Sequence, residues 1–158
     1  MHVGKIVSQD ELILHVAELK RNARRIAFTN GCFDLLHPGH LYCLEQARAL
    51  GDILVVAINS DSSVRQLKGS GRPVIPQHER AEILAALAAV DYVVMFDEPT
   101  PRALIARLLP DVLVKGSDWE TIVGREEVEA AGGRVVALPL EPCYSTTSLL
   151  ERIRTPGP

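Results

Sequence analysis

Two histidines, His37 and His40, stand three residues apart around Pro38 and Gly39, in the stretch FTNGCFDLLHPGHLYCLEQARAL at 28–50. An apolar run turns into a helical pattern at this point, and a simple strand-turn-helix corner has no use for imidazoles. Separated by about one helical turn, the rings project to the same side. At a helix start, with its unpaired N–H groups and positive partial charge, such a pair suits contact with phosphate. Metal ligation is the alternative, because Cys32 and Cys43 lie close by. Cys43 falls inside the helical pattern, however, and no Cys-x-x-Cys pair completes a zinc site. With Cys143 the cysteines number three, an odd and widely spaced set that reads as small packing residues rather than a disulfide framework.

The elements that must position the histidines alternate along the chain. Residues 9–22 predict an amphipathic helix capped by Ser8 or Asp10, with Leu12, Val16 and Leu19 on one face. RIAFTN (25–30) reads as a short buried strand. The next helix begins with Pro38, where a missing N–H costs nothing, and Gly51 suits its end. DILVVAIN (52–59) is a continuous apolar run, as in a strand covered on both faces. Ser60 or Asp61 caps a helix over SDSSVRQL, and the Gly/Pro-rich, basic segment 68–77 is a loop. The remaining segments read as helix 78–90, strand 91–96, helix 100–110, strand 111–116, helix 125–133 with a glycine cap, and strand 134–140. A terminal helix 145–154 follows, capped by Ser145 or Thr146. Strands alternating with helices imply right-handed βαβ units. The expectation is an α/β protein: one Rossmann-like domain over 1–158, a five-stranded parallel sheet with helices on both faces. Within it, 1–23 is an N-terminal helical segment, 24–154 the core and 155–158 a tail.

In such sheets ligands bind beyond the carboxyl ends of the strands. After the first strand come Thr29, Asn30, Gly31, Cys32, Phe33 and Asp34, then the two histidines; after the fourth, Lys115, Gly116, Ser117, Asp118 and Trp119; after the fifth, Tyr144, Ser145, Thr146 and Thr147. Lys68 and Arg72 add cations from the basic loop. Neither a GxGxxG nor a GxxxxGK[ST] motif accounts for an anion site here. A net charge of −3 argues against a general nucleic-acid binder. No run reaches the roughly 18 apolar residues of a membrane span, and no signal peptide is evident, so the reading is a cytoplasmic protein without a membrane partner.

TNGCFDLLHPGH resembles the T-x-G-x-F-D…H-x-G-H signature of the nucleotidyltransferase superfamily, which includes glycerol-3-phosphate cytidylyltransferase and heptose-phosphate adenylyltransferases. RQLKGSGRPVIP, LLPDVLVKGSDW, IVGREEVEAAGGRVVALPL and YSTTSLLERI extend the resemblance over about 24–154, nearest to the domain that makes ADP-heptose from heptose 1-phosphate. The resemblance implies transfer of AMP from ATP to a sugar 1-phosphate, with Mg2+ arriving on the triphosphate. It implies that His37 and His40 meet the phosphates and that Gly39 lets backbone approach. Thr29, Asn30, the N–H groups around Gly31, Cys32 and Phe33, and Lys115 with Gly116 would hold the nucleotide. Ser145, Thr146 and Thr147 would take its β and γ phosphates. Lys68 and Arg72 would close over the attacking phosphate, with Asp34 organising that loop and Arg80 near the phosphates. Asp118 is open between a magnesium ligand and a loop cap. Ser117 and Cys143 stand where the heptose pattern commonly has glycine, a departure that costs about 1 kcal/mol if either needs φ > 0.

Two alternatives stand beside this reading. The first is a glycerol-3-phosphate cytidylyltransferase-like enzyme, disfavoured because Leu140 and Glu141 replace the arginine and threonine of its R-T-x-G-I-S-T-T motif. The second is a non-catalytic nucleotide-binding domain on the same fold. Relatives often pair, so a homodimer is among the implied states. The segment before residue 25 has room for one helix, so the expectation is a stand-alone transferase whose phosphorylated sugar comes from a separate kinase.

Overall fold

The computed structural model of the chain describes residues 4–116, 121–139, 144–155 and 157. Ser117, Asp118, Trp119, Leu140, Glu141 and Cys143 lie outside the described residues, and with them the questions of the Asp118 ligand, the two absent glycines and the closing motif.

The order is α1 (Gln9–Arg21), β1 (Ile26–Gly31), α2 (Pro38–Ala49), β2 (Ile53–Asn59), α3 (Asp61–Lys68), α4 (Gln77–Ala86), β3 (Tyr92–Phe96), α5 (Arg102–Leu108), β4 (Val112–Gly116), α6 (Arg125–Ala130), β5 (Arg134–Leu138) and α7 (Thr146–Arg154). The strands form one sheet in the order β3-β2-β1-β4-β5, and every pairing is parallel. The apolar runs of β1, β2 and β4 are buried on both faces because helices cover both. On one face Leu12 and Val16 of α1, Leu104 and Ile105 of α5 and Val128 of α6 pack on Phe28, Val55, Val94 and Leu113. On the other, Leu44 and Ala47 of α2 and Ala81 and Leu84 of α4 pack on Ala27, Val56, Val93 and Val114. No helix among the described residues is long and apolar enough to cross a membrane.

Three aspartates hold the edge of the sheet away from the site. Each immediately precedes a strand, and Asp52, Asp91 and Asp111 accept from the backbone N–H groups of Arg25, Leu54 and Ile26 at 2.7–2.8 Å. At the carboxyl ends of the strands the direction of winding reverses. From central β1 the chain runs outward to β2 and β3, then crosses to β4 on the opposite flank. The crevice between the carboxyl ends of β1 and β4 is therefore the topological switch point.

Three details depart from the sequence expectation. The fourth helix ends at Ala86, not near residue 90: Leu87 turns extended, and the Lys5 ammonium donates to the carbonyls of Leu87 at 3.2 Å and Val90 at 2.6 Å. The same N-terminal segment pairs with the exposed side of β3, through Val93 N–H to Lys5 at 2.8 Å and Val7 N–H to Val93 at 3.0 Å, and so covers a sheet edge. Gly51 follows α2 for space rather than for a left-handed turn, since a Cβ there would sit 2.9 Å from the Ala27 nitrogen.

Candidate active site

The β1–α2 corner is built around the two histidines. His37 is the N-cap of α2 and His40 occupies its third position. The backbone N–H of His40 donates to Nδ1 of His37, and the N–H of His37 donates to Nδ1 of His40, both at 3.3 Å. This reciprocal cap has the logic of a Ser/Glu capping box carried out by two imidazoles. Because each Nδ1 accepts, each neutral ring carries its proton on Nε2 and keeps that donor for another partner. The rings stack with centroids 3.8 Å apart and 21° between planes.

Burial pushes the His37 imidazolium below its ordinary range. Burial, followed by the charges of His37 and Lys68, lowers His40 to about 4. Near neutral pH the free corner thus presents neutral N–H donors. Gly39 is buried between them, and a Cβ on it would lie 3.0 Å from His37 Nδ1 and 3.0 Å from the Tyr144 Cβ. Its service is to admit the His37 ring and the start of the last helix. Phe33, at φ 48°, tilts its ring against His40 at 5.4 Å, a left-handed position that is strained for a bulky residue.

Asp34 and Arg80 fix the surrounding loops. The Asp34 carboxylate, 2 % exposed, accepts from Arg72 Nε at 2.7 Å and from the N–H groups of Val74 and Ile75 at 2.9 Å. Burial alone would raise its pKa; the Ile75 and Val74 amides and the Arg72 guanidinium outweigh that and hold it below the usual carboxylate range. Asp34 therefore organises the loop, and its oxygens are engaged by the chain.

Arg80 is engaged by the chain in the same way. It is 1 % exposed, and it donates to the Ile75 carbonyl at 2.9 Å, the Cys32 carbonyl at 2.6 Å and Asp61 Oδ1 at 2.8 Å. Its guanidinium ties the histidine loop, the basic loop and the start of α3 together as a buried strut. Arg72 is held rather than mobile, yet its Nη2 is buried without a hydrogen-bond partner.

Two clefts flank the corner, and a cavity lies at the switch point. The cavity, about 240 Å³, gathers Asn30, Gly31, Cys32 and Lys115 as the sequence suggested, and adds Asn59, Thr100 and Thr121. Burial lowers the Lys115 ammonium from its ordinary value, opposed by the neighbouring Cys32 thiol. Asn59 donates to Ser63 Oγ at 3.0 Å and accepts weakly from the Cys32 thiol. Thr29 sits within β1 opposite Val56 and is not among the described residues lining the cavity; Gly116 closes β4 beside Lys115.

The Ser-Thr-Thr cluster divides. Ser145 caps α7 by accepting from Ser148 N–H at 3.0 Å and lines a cleft with His37, Tyr144 and Arg152. The Thr146 hydroxyl reaches the Leu35 carbonyl at 3.4 Å, and Thr147 lines a separate cleft with Lys68 and Arg72. Sequence reasoning passed over Asn59, which ends β2, and Thr100, which follows β3. The rule of strand carboxyl ends, applied to those strands as well, would have found them. It also passed over the role of Tyr144, whose ring stacks on His37 at 6.0 Å and 17°.

A five-stranded parallel sheet with imidazole donors at its switch point defines a nucleotide-transfer class, and residues 28–152 match the cytidylyltransferase-like family: the chain belongs to it. It is 57% identical over 151 residues to the bifunctional protein HldE of Koribacter versatilis, covering 94% of this chain and 31% of that protein. It is 54% identical over 154 residues to HldE of Geotalea uraniireducens, covering 96% and 31%. The chain thus spans about a third of the length of these curated relatives. Among solved structures it resembles a lipopolysaccharide core biosynthesis protein from Thermoplasma volcanium, with 25% identity, TM-score 0.61, and 75% of this chain and 97% of that one covered. A pantoate-beta-alanine ligase from Francisella tularensis, 14% identical with TM-score 0.58 over 85% and 66% of the chains, shares the fold alone.

Proposed function

We propose that the chain transfers the adenylyl group of ATP to D-glycero-D-manno-heptose 1-phosphate, releasing pyrophosphate and forming ADP-heptose for a cell-surface glycan. The observation that carries the reading is the reciprocal cap of His37 and His40, which leaves two Nε2–H donors at a helix start beside Lys68. A phosphate oxygen of the acceptor attacks the α-phosphorus, the bond to the β-phosphate oxygen breaks, and the electron pair leaves with pyrophosphate. No protein nucleophile is needed. Catalysis comes from positioning and from donors aimed at the crowded α-phosphate. The cavity beyond β1 and β4, with Asn30 and Lys115, suits the nucleoside, and Lys68 with the unmatched Nη2 of Arg72 suits the acceptor phosphate.

Magnesium belongs to this scheme as part of the substrate, carried on the triphosphate with water filling its shell. Among the described residues no cluster of three His, Cys, Asp or Glu could hold a metal ion, and the Asp34 carboxylate is already engaged by Arg72. The heptose acceptor is supported by the heptose-branch blocks of the sequence and by the likeness to a lipopolysaccharide core biosynthesis protein. Such an acceptor arrives already phosphorylated, so a kinase step must supply it.

The test is pyrophosphate release over a panel of ATP, CTP and GTP with heptose 1-phosphate, glucose 1-phosphate and glycerol 3-phosphate. ATP with heptose 1-phosphate should be fastest. A preference for CTP with glycerol 3-phosphate would replace this reading with the cytidylyltransferase one, and release from no pair would leave a nucleotide-binding domain.

A further inference from the structure

The cleft between the basic loop and the last helix holds more charge than one phosphate contact needs. Lys68 at the end of α3, Arg72 and Arg154 line it, together with Thr147 and Glu151. Buried Nη2 of Arg72 has no acceptor here, an arrangement that is costly unless one arrives. Arg154 and Lys68 form no ion pair among the described residues, although the Glu151 carboxylate lines the same cleft. Asp34 already pairs Arg72, so three cations stand against two carboxylates, and the cleft keeps a net positive charge that attracts a phosphate. Glu151 would repel that phosphate, so the phosphate belongs at the Arg72 and Lys68 end. Glu151 then faces another part of the same molecule, where a carboxylate can only accept hydrogen bonds. A ligand bearing a phosphate at one end and hydroxyl donors at the other satisfies both ends of the cleft.

We infer that Arg154 and Glu151, on the exposed face of α7, select the acceptor: Arg154 binds its phosphate from the α7 wall of the cleft, and Glu151 accepts from its hydroxyl groups. The inference rests on the proposed transfer to a phosphate ester and extends it to residues outside the histidine corner. It makes the acceptor class a polyhydroxylated phosphate monoester rather than any phosphate.

The experiment compares wild type, Arg154→Gln and Glu151→Gln by steady-state rates, with heptose 1-phosphate and ATP each varied, and by calorimetric titration of heptose 1-phosphate. Both side chains are exposed, so melting should not change. Arg154→Gln should raise the acceptor KM about tenfold and Arg154→Lys should recover part of it, because loss of one charge-assisted contact weakens binding without touching the reacting atoms. Glu151→Gln should raise it about fivefold, and should narrow the preference for heptose 1-phosphate over glycerol 3-phosphate. In both, kcat and the ATP KM should stay within about twofold of wild type. Acceptor KM and affinity unchanged in both variants would overturn the inference while leaving the transfer reaction standing. If wild type binds heptose 1-phosphate but releases no pyrophosphate, the transfer reading fails. The cleft assignment is then upheld by weakened binding in Arg154→Gln and overturned by equal binding.

Discussion

At the β1–α2 corner nearly every polar group is spoken for by the chain itself, whereas at the α7 corner most are open. His37 and His40 cap one another, Asp34 is saturated by Arg72 and two amides, and Arg80 reaches three segments from full burial. In α7 no described residue is buried; Thr147, Glu151 and Arg154 line an open cleft, and the helix start meets the histidine corner through Tyr144, just before its cap, and through the Thr146 hydroxyl on the Leu35 carbonyl. Under the proposed transfer, the difference separates two tasks. Groups that act on the α-phosphate must be in place before the nucleotide arrives, because donors that need no rearrangement contribute most to the transition state. Groups that choose the acceptor can stay solvated until it binds.

This contrast predicts unequal mutational effects. His40→Ala removes one of the two prepositioned donors and should lower turnover by about 10²–10³, with melting nearly unchanged. Retention of more than half the wild-type rate would place the transition-state contact elsewhere.

Arg80→Ala should act on stability first. It leaves the Cys32 and Ile75 carbonyls and Asp61 without their buried donor, a loss of about 3 kcal/mol read by denaturant unfolding. An unfolding midpoint equal to wild type would mean that the strut is dispensable.

Asp34→Asn should cost about 2 kcal/mol, because an amide nitrogen replaces an oxygen that accepts from backbone N–H. The pH dependence has a definite sign. A carboxylate whose folded pKa lies below its unfolded value contributes stability above the unfolded pKa and loses it as pH falls through the folded one. Wild type should therefore lose this increment only on acidification below the ordinary carboxylate range, and the Asp34→Asn protein should show a flatter curve there. Parallel curves would remove Asp34 from the acid transition.

The smallest effect tests the ring contact between the two corners. Tyr144→Leu removes the ring stacked on His37 and should slow turnover about three- to fivefold at unchanged melting temperature, in keeping with the modest energy of an aromatic pair. No change in kcat would mean that this ring contact does not couple the corners.

The sheet, its helices and most caps were legible because burial on both faces leaves long apolar runs and because Ser8, Ser60 and Ser145 mark their helix starts. The end of α4 was not, since LAALAAV keeps an apolar helical pattern while the turn is fixed by Lys5, about eighty residues away in sequence. At the site, residue types pointed to the histidines, Lys68 and Lys115, and the fold brings Lys115 to the switch-point cavity and Lys68 to the cleft with Arg72. Direction was hidden. An arginine reads the same in sequence whether it faces a phosphate, as the Nη2 of Arg72 is free to do, or three groups of its own chain, as Arg80 does. The reciprocal cap was equally invisible, because it depends on which ring nitrogen each backbone N–H meets.

That cap is also the most direct point of test. Long-range ¹⁵N correlation spectra of the free protein, followed through a pH titration, report the tautomer and protonation of each imidazole. The account predicts that His37 and His40 are both neutral at pH 7 with the proton on Nε2, and that His40 titrates with a midpoint of about 4. A His40 midpoint near the ordinary histidine value, or protons on Nδ1 in either ring, would contradict it.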